Sequence, residues 1–600
     1  MASIFLILNK SVRGETNGIL NNSPEAYDGG FSWEYVDAKS GSCIVSDSRI
    51  DYKRELAGKL GVKWKVAEGF SDSKLILFAY LKWREACLSH LYGDFSFVIW
   101  DPGKDKVFCA RDHFGCRPLY YVDQPGILAV ASQITAFKNL PGFRFEIREQ
   151  YILDSICSIE RNDTDSAYKG ISRLKPAHYL KQKIGQSSGQ HRYWDLKIDE
   201  SYQGLTLEEA SDGLRDRIIE AVRQRSQTSG QIGVELSGGL DSSGIASVLA
   251  KLYGQKASIN AFTHSISSHG TAQQMYLKNE MEYSTALIEK YNSVRQFKIT
   301  GENSEGGYKA LIGAIHRLYK PINLHYAMNS DLLFEAAGNS GTSIIFSGYG
   351  GDEGISNNGS GYFNELISFG QHSKLRENIK SIVFRRGGSY YKRLIKLYIN
   401  YYAPWALSLH EKDWRKVRYR SFALQKSLAR KYRMKRRFFY KTPVPGKPDV
   451  RAIQYFRIMY PNIPERIEET SLLAQQHGIE YRYPFLDVKL LEFFYSLPSV
   501  YKYKDGTGRF LFRKAMEDIL PEKIRTRTDK GGNTIPNVFA RVLKDEKIFR
   551  EIIEEGRVKN QYHYVDYDKL NEMLDTFKNM EKLKRRDYGL RAFQSPMSVL

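Results

Sequence analysis

Acidic residues are absent between Trp414 and Pro448, a stretch that holds thirteen lysines and arginines. The whole chain carries a formal charge of +21. That charge invites a nucleic-acid reading, but most of the excess is local, which argues for caution, and nucleic acid is not an expected partner. The stretch suits phosphates, a membrane surface or an acidic peptide, and equally a plain solvated face. Long apolar runs are lacking too, which excludes a spanning helix. The apolar start, Met1 to Leu8, is too short for a signal peptide and has no basic residues before it. It reads as a first strand, and the protein as cytoplasmic. Cysteine is scarce: Cys43, Cys87, Cys109, Cys116 and Cys157 all lie in the first third, an odd number with no metal-ligand spacing. They read as reduced, packed thiols. The twelve histidines form no His-x-x-His or His/Cys cluster, so His113, His477 and the rest read as structural or surface residues. No repeat or low-complexity segment occurs.

What is present is a well-packed globular composition, 42% hydrophobic and 13% aromatic over 600 residues. That length exceeds one core and implies at least two domains. Short runs at Gly93–Asp101, Val107–Ala110 and Leu119–Val122 predict strands, so residues 1–195 read as mostly β. From Thr206, which has capping-box spacing to Glu209, the pattern turns helical. Leu207, Ala210, Leu214, Ile218 and Val222 share one face. Strand signals at 231–236, 259–263 and 343–347 then alternate with helical stretches, which predicts a doubly wound parallel sheet over 196–600.

After the apolar run Ile232–Leu236 comes Ser237-Gly-Gly-Leu-Asp-Ser-Ser243, followed by the helical pattern of Gly244–Leu252. Strand, glycine turn and helix start in that order make an anion site: Gly238 and Gly239 let backbone N–H groups approach a ligand, and the helix N-terminus adds free donors. The Gly-Lys-Ser/Thr ending of a Walker A loop is missing. The loop resembles the pyrophosphate loop of enzymes that split ATP into AMP and pyrophosphate, which implies ATP as ligand with Ser237, Gly238, Gly239, Ser242 and Ser243 on the pyrophosphate, and Asp241 can hold its magnesium ion. A second loop, Ser347-Gly-Tyr-Gly-Gly-Asp-Glu353, follows another strand signal. In a parallel sheet both loops leave one edge, so Asp352 is expected to share the magnesium ion with Asp241.

This pair of loops resembles the synthetase domain of the asparagine synthetase superfamily. Glu480-Tyr-Arg-Tyr-Pro-Phe-Leu-Asp487, Gly508-Arg-Phe-Leu-Phe-Arg-Lys-Ala515, Leu520-Pro-Glu and Arg527-Thr-Asp-Lys530 resemble its later motifs, and Tyr92–Phe97 with Ala110–Tyr120 its amino-terminal domain. The resemblance implies an α/β protein in two domains. Residues 1–195 would be an Ntn-hydrolase-like, glutaminase-type sandwich. Residues 196–600 would be the pyrophosphate-loop synthetase. It further implies that Leu236, Phe262, Ser347 and Gly348 line the nucleotide pocket and that Lys530 steadies the adenylate, with Lys514 a weaker rival. Tyr349 matches a tyrosine that β-lactam synthetases use in amine deprotonation; a ring stacked on adenine or packed in the loop is the other reading.

Glutamine-using members carry a cysteine after the initiator methionine, where this chain has Ala2, which has no thiolate with which to attack an amide. Their glutamine-pocket signature is also missing, its place taken by Asp47-Ser-Arg-Ile-Asp51. The first domain is therefore expected to be an inactive relic. Two branches of the family lost that nucleophile, the β-lactam synthetases and the lasso peptide macrolactam synthetases. Residues 355–465 form a long insert rich in Tyr, Trp and Arg, types that anchor bound polypeptides, although a helical insert packed on the core accounts for the same pattern. The insert favours the lasso-type reading, in which an Asp or Glu side chain of a precursor peptide is adenylated and its N-terminal amine closes the ring. ATP and magnesium would be required, and a leader-binding protein and a leader peptidase would be partners. The alternatives are an ammonia-dependent asparagine synthetase-like or β-lactam synthetase-like enzyme acting on a small amino acid. More remote is an RNA-modifying pyrophosphate-loop enzyme.

Overall fold

The computed structural model describes residues 4–9, 33–125, 127–159, 164–183, 189–254, 257–265, 281–300, 305–403, 422–440, 447–460, 462–527, 538–559 and 563–577. Two antiparallel sheets come first. One has the order β1-β7-β6-β8 and the other β10-β9-β5-β4-β3-β2. The strands are β1 (Phe5–Asn9), β2 (Tyr35–Val36), β3 (Cys43–Asp51), β4 (Tyr92–Asp101), β5 (Lys106–Arg111), β6 (Tyr120–Gln124), β7 (Ile127–Ala131), β8 (Ser172–Arg173), β9 (His178–Lys183) and β10 (Gln190–Arg192). Strand side chains alternate between faces, and here both faces are covered. Val45, Val98, Trp100, Val107 and Cys109 meet Leu6, Leu128 and Val130 between the sheets. On the outer face of the larger sheet, Phe95, Phe97, Ile99 and Phe108 pack against Leu75, Ile76 and Tyr80 of the helix Asp72–Trp83. The predicted β-rich sandwich is present, and the described part of the Met1–Leu8 signal enters the edge strand β1, while residues 1–3 lie outside the described residues.

The second part is built on five parallel strands in the order β13-β12-β11-β14-β15, with β11 (Gln231–Glu235), β12 (Ile259–His264), β13 (Val294–Ile299), β14 (Thr342–Phe346) and β15 (Glu480–Arg482). The helix Leu207–Arg225 leads in through a complete capping box: Glu209 N–H donates to Thr206 Oγ1 (3.3 Å) and Thr206 N–H to Glu209 Oε2 (2.8 Å). Its predicted face is buried at Ala210, Leu214, Ile218 and Val222. From β11 the chain first winds outward through β12 to β13, then returns to β14 on the other side. The strand order therefore reverses between β11 and β14, the place where open α/β sheets bind ligands.

The two parts share one core. Phe114, Leu153 and Ile156 from before residue 195 belong to the same buried cluster as Val234, Ile345 and Phe346 of the parallel sheet. Within 355–465 the described elements are helices, including Tyr362–Ser368, His372–Arg386, Tyr390–Tyr402 and Val450–Ile458. No helix among the described residues is long and apolar enough to cross a membrane.

Candidate active site

Ser237 follows β11 directly. Gly238 takes φ +72°, a left-handed turn that glycine adopts without a steric cost. Gly239 then caps the helix Leu240–Tyr253 with no side chain in the way of a ligand. The turn is held by its own serines: Ser237 N–H donates to Ser242 Oγ (3.2 Å), the two hydroxyls lie 2.9 Å apart, and Gly239 N–H reaches Ser237 Oγ (3.3 Å). The loop is thus shaped in advance, with donors at a helix N-terminus.

The second loop packs on the first, backbone to backbone. A β-carbon on Gly348 would come within 2.6 Å of the Ser242 nitrogen, so only glycine permits this approach. Ser347 is tied down on both sides, its N–H donating to the Arg482 carbonyl (3.0 Å) and its Oγ to Glu235 Oε2 (3.0 Å). Asp241 and Asp352 face one cavity and one cation. The Arg509 guanidinium lies 3.8 Å from Asp241 Oδ2 and forms a close ion pair with Asp352 Oδ1.

That cavity, of about 310 Å³, is lined by Glu235, Ser237, Gly239, Leu240, Asp241, Ser242, Ser347, Gly348, Tyr349 and Asp352, with Arg466, Arg509, Arg513 and Arg527 around them. Four guanidinium groups face three carboxylates here, so an incoming anion is favoured. Arg513 registers this field: burial first, then neighbouring Arg509 and Arg525, pull its pKa down to about 10. Tyr349 stands on the wall, its ring 4.2 Å from the Arg466 guanidinium carbon. A larger cavity of about 490 Å³, lined in part by Tyr52, Arg217, Asp487 and Phe493, sets four carboxylates against three cations and has no glycine loop.

A magnesium ion fits this donor set in a limited way. No group of three or more His, Cys, Asp or Glu residues is arranged to hold a metal among the described residues. Two carboxylates facing one cavity suit an ion that draws its other ligands from phosphate and water, which is how magnesium commonly binds beside nucleotides.

Of the residues singled out from the sequence, Ser237, Gly239, Asp241, Ser242, Ser347, Gly348, Tyr349 and Asp352 come together on the cavity wall. Gly238 shapes the turn, and its carbonyl accepts from Arg527 (3.5 Å). Ser243 does not line the cavity; it lies fully buried in the helix below. Leu236 and Phe262 are also beneath the wall. Leu236 N–H donates to the Phe262 carbonyl (2.8 Å), and the Phe262 ring stacks on Phe297, so sheet pairing takes both residues. Lys530 and Ala2 lie outside the described residues. Lys514 pairs with Glu208 (3.4 Å), away from the cavity. His113 is packed among Tyr92, Phe95, Tyr193 and Trp194, and burial holds its pKa down to about 3, as a structural histidine requires. The four arginines carry less of a sequence signal. Arg509, Arg513 and Arg527 sit inside the motifs Gly508–Ala515 and Arg527–Lys530, whereas Arg466 lies in none of the motifs.

Residues 213–595 match the family described as asparagine synthase, and residues 37–194 match the glutamine amidotransferase domain. A protein named amidase chry2 from Gibberella zeae is 32% identical over 215 residues, 35% of this chain and 31% of its own. The chain therefore spans about three tenths of that relative. Coverage is broader with two glutamine-hydrolysing asparagine synthetases of Bacillus subtilis. Number 3 is 24% identical over 81% of this chain and 74% of its own, and number 1 is 24% identical over 87% and 80%.

Proposed function

Because the chain belongs to the asparagine synthase family, we propose that it is an ATP-dependent carbon–nitrogen ligase working through an acyl-adenylate. One observation carries this reading: Asp241 and Asp352, from loops after adjacent strands, face one arginine-rimmed cavity. In the first step a carboxylate oxygen of the substrate attacks the α-phosphorus of ATP, and the bond to the β-phosphate's bridging oxygen breaks. Ser237, Gly239 and Ser242 hold the departing pyrophosphate through hydroxyl and backbone donors. Arg509, Arg513 and Arg527 offset its charge as fixed cations aimed at the phosphates. A magnesium ion, held by Asp241 and Asp352, would neutralise charge on the phosphates. In the second step an amine attacks the acyl carbon, AMP leaves, and Tyr349 is placed to pass on the amine's surplus proton.

The finer reading is a macrolactam synthetase. It adenylates an Asp or Glu side chain of a precursor peptide and closes a ring with that peptide's own N-terminal amine. Two features support it. The segment Asp47–Asp51, where a glutamine pocket is expected, is engaged in buried ion pairs: Arg49 with Asp94 (2.6 Å), Asp51 with Arg225 (3.1 Å) and Asp47 with Arg117 (3.7 Å). The helices His372–Arg386 and Tyr390–Tyr402 expose Phe384, Tyr391 and Tyr402 beside a run of cations, a surface suited to a polypeptide. A leader-binding protein and a leader peptidase would then act beside it.

Incubation with Mg-ATP and candidate precursor peptides should yield a product lighter by one water, with AMP and pyrophosphate released. The second reading, amidation of a small amino acid with free ammonia, is favoured by the extended similarity to asparagine synthetases. Asparagine formed from aspartate and ammonia, with no peptide product, would establish that reading instead.

A further inference from the structure

The helix Asn462–Gln475 runs between the amino-terminal sandwich and the cavity. Arg466 and Glu468 are two residues apart on it, which places them about 200° apart around the helix axis. Arg466 points to the cavity, where its guanidinium carbon lies 4.2 Å from the centre of the Tyr349 ring and 5.4 Å from that of Tyr326. Glu468 points the other way and has no exposed surface. Its Oε2 accepts from Arg111 (2.9 Å) and lies 3.6 Å from Arg173, and Tyr120 donates its hydroxyl to Oε1.

All three partners belong to the sandwich, on β5, β6 and β8. Arg111 is itself immobilised: it donates to the carbonyls of Arg117 (2.9 Å), Leu174 (2.9 Å) and Gly115 (2.7 Å). Lys320 pairs with two further acids of the helix Asn462–Gln475, the adjacent Glu469 (2.9 Å) and, one turn back, Glu465 (3.7 Å). Burial pushes the Glu468 carboxyl up, but Arg173, Arg111 and Lys320 outweigh it, so the group stays ionised. A buried, ionised carboxylate gripped from three sides resists rotation and sliding far more than an apolar contact, because any shift leaves charge unpaired.

We propose that Glu468 is a positioning residue through which the amino-terminal sandwich sets the helix Asn462–Gln475, and with it the Arg466 guanidinium over Tyr349. The sandwich then acts on the synthetase cavity as a fixed jig, without chemistry of its own. This rests on the cavity being the active site, but not on which substrate is used.

The test is fluorine NMR of the full chain carrying 3-fluorotyrosine at position 349, read without ATP or substrate. Arg466→Gln should move the resonance and raise the phenol's titration midpoint, since a cation that favours the phenolate is gone. Glu468→Gln should move both in the same direction by a smaller amount, and Glu468→Asp should return them towards the parent values. Tyr120→Phe removes one hydroxyl without stranding a charge, and serves if Glu468→Gln does not fold; it should give a smaller shift of the same sign. A resonance and midpoint unchanged in Glu468→Gln, or in Tyr120→Phe where that variant has to stand in, would overturn the proposal even if the melting temperature fell. A responsive resonance in a protein that releases no pyrophosphate with any substrate would count against the ligase reading and leave this one standing.

Discussion

The carboxyl group of Asp241 lies against the backbone of Gly351: a β-carbon built on that glycine would come within 2.5 Å of Asp241 Cγ. The first loop's acid is therefore placed by an absence in the second. Gly351→Ala should displace Asp241 and lower pyrophosphate release at least tenfold, with only a small fall in melting temperature. Mg-ATP titration calorimetry on the same variant should show weakened binding. Binding equal to the parent's would mean that Asp241 does not act where it now sits.

Arg509 spans the two acids, 3.8 Å from Asp241 and in a close ion pair with Asp352. Arg509→Gln leaves two carboxylates facing one cavity without that cation. Such like charges destabilise each other, so the variant should melt several degrees below the parent in EDTA. Millimolar magnesium should recover most of that deficit. A deficit indifferent to magnesium would show that the two carboxylates share no ion.

Lys502 is fully buried, donating to Gln454 Oε1 (2.8 Å) and to the Tyr495 carbonyl (3.2 Å). Burial, then Arg451, pulls its pKa down to about 7 from an ordinary 10.5. Between those values the unfolded chain holds a proton that the folded one has released, so this group makes stability rise with pH from about 7 to about 10.5. The full span corresponds to at most about 5 kcal/mol. Urea midpoints of the parent should climb across that window relative to those of Lys502→Met. Parallel curves for the two proteins would refute it. Gln454 also donates to the Gly354 carbonyl (3.1 Å), so the same titration should be felt just beyond the second glycine loop.

All five cysteines are buried thiols outside any disulfide. Burial pushes the Cys43 thiol up to about 12 and raises Cys87 and Cys109 further. Thiol reagents need the thiolate and access to it. A disulfide reagent at neutral pH should therefore label none of the five in the native protein and all of them after unfolding. Rapid labelling of the native chain at any one site would contradict the packing described here.

Much of the candidate site is legible in the sequence, because its signals are local. A glycine turn between an apolar strand and an amphipathic helix can be read within a dozen residues, and so can a capping box such as Thr206–Glu209. Strands β4, β11 and β14 appeared as short apolar runs bounded by turn residues, and their assignments agree with those runs to within a residue or two. Leu236 and Phe262 are less legible, because proximity to a loop in sequence does not say which side of the sheet a side chain meets. The two are spent on sheet pairing and ring packing.

The chain alone determined that two acidic glycine-rich loops exist and that each follows a strand, since backbone freedom at glycine and hydrophobic periodicity act over neighbouring residues. Only the tertiary structure decided that the loops interlock through Gly348 and Gly351, that Arg466 and Arg509 close the ring of charge, and that Glu468 ties the cavity to the sandwich. These partners lie up to hundreds of residues apart. No local rule links them; strand order and the shape of the shared core bring them together.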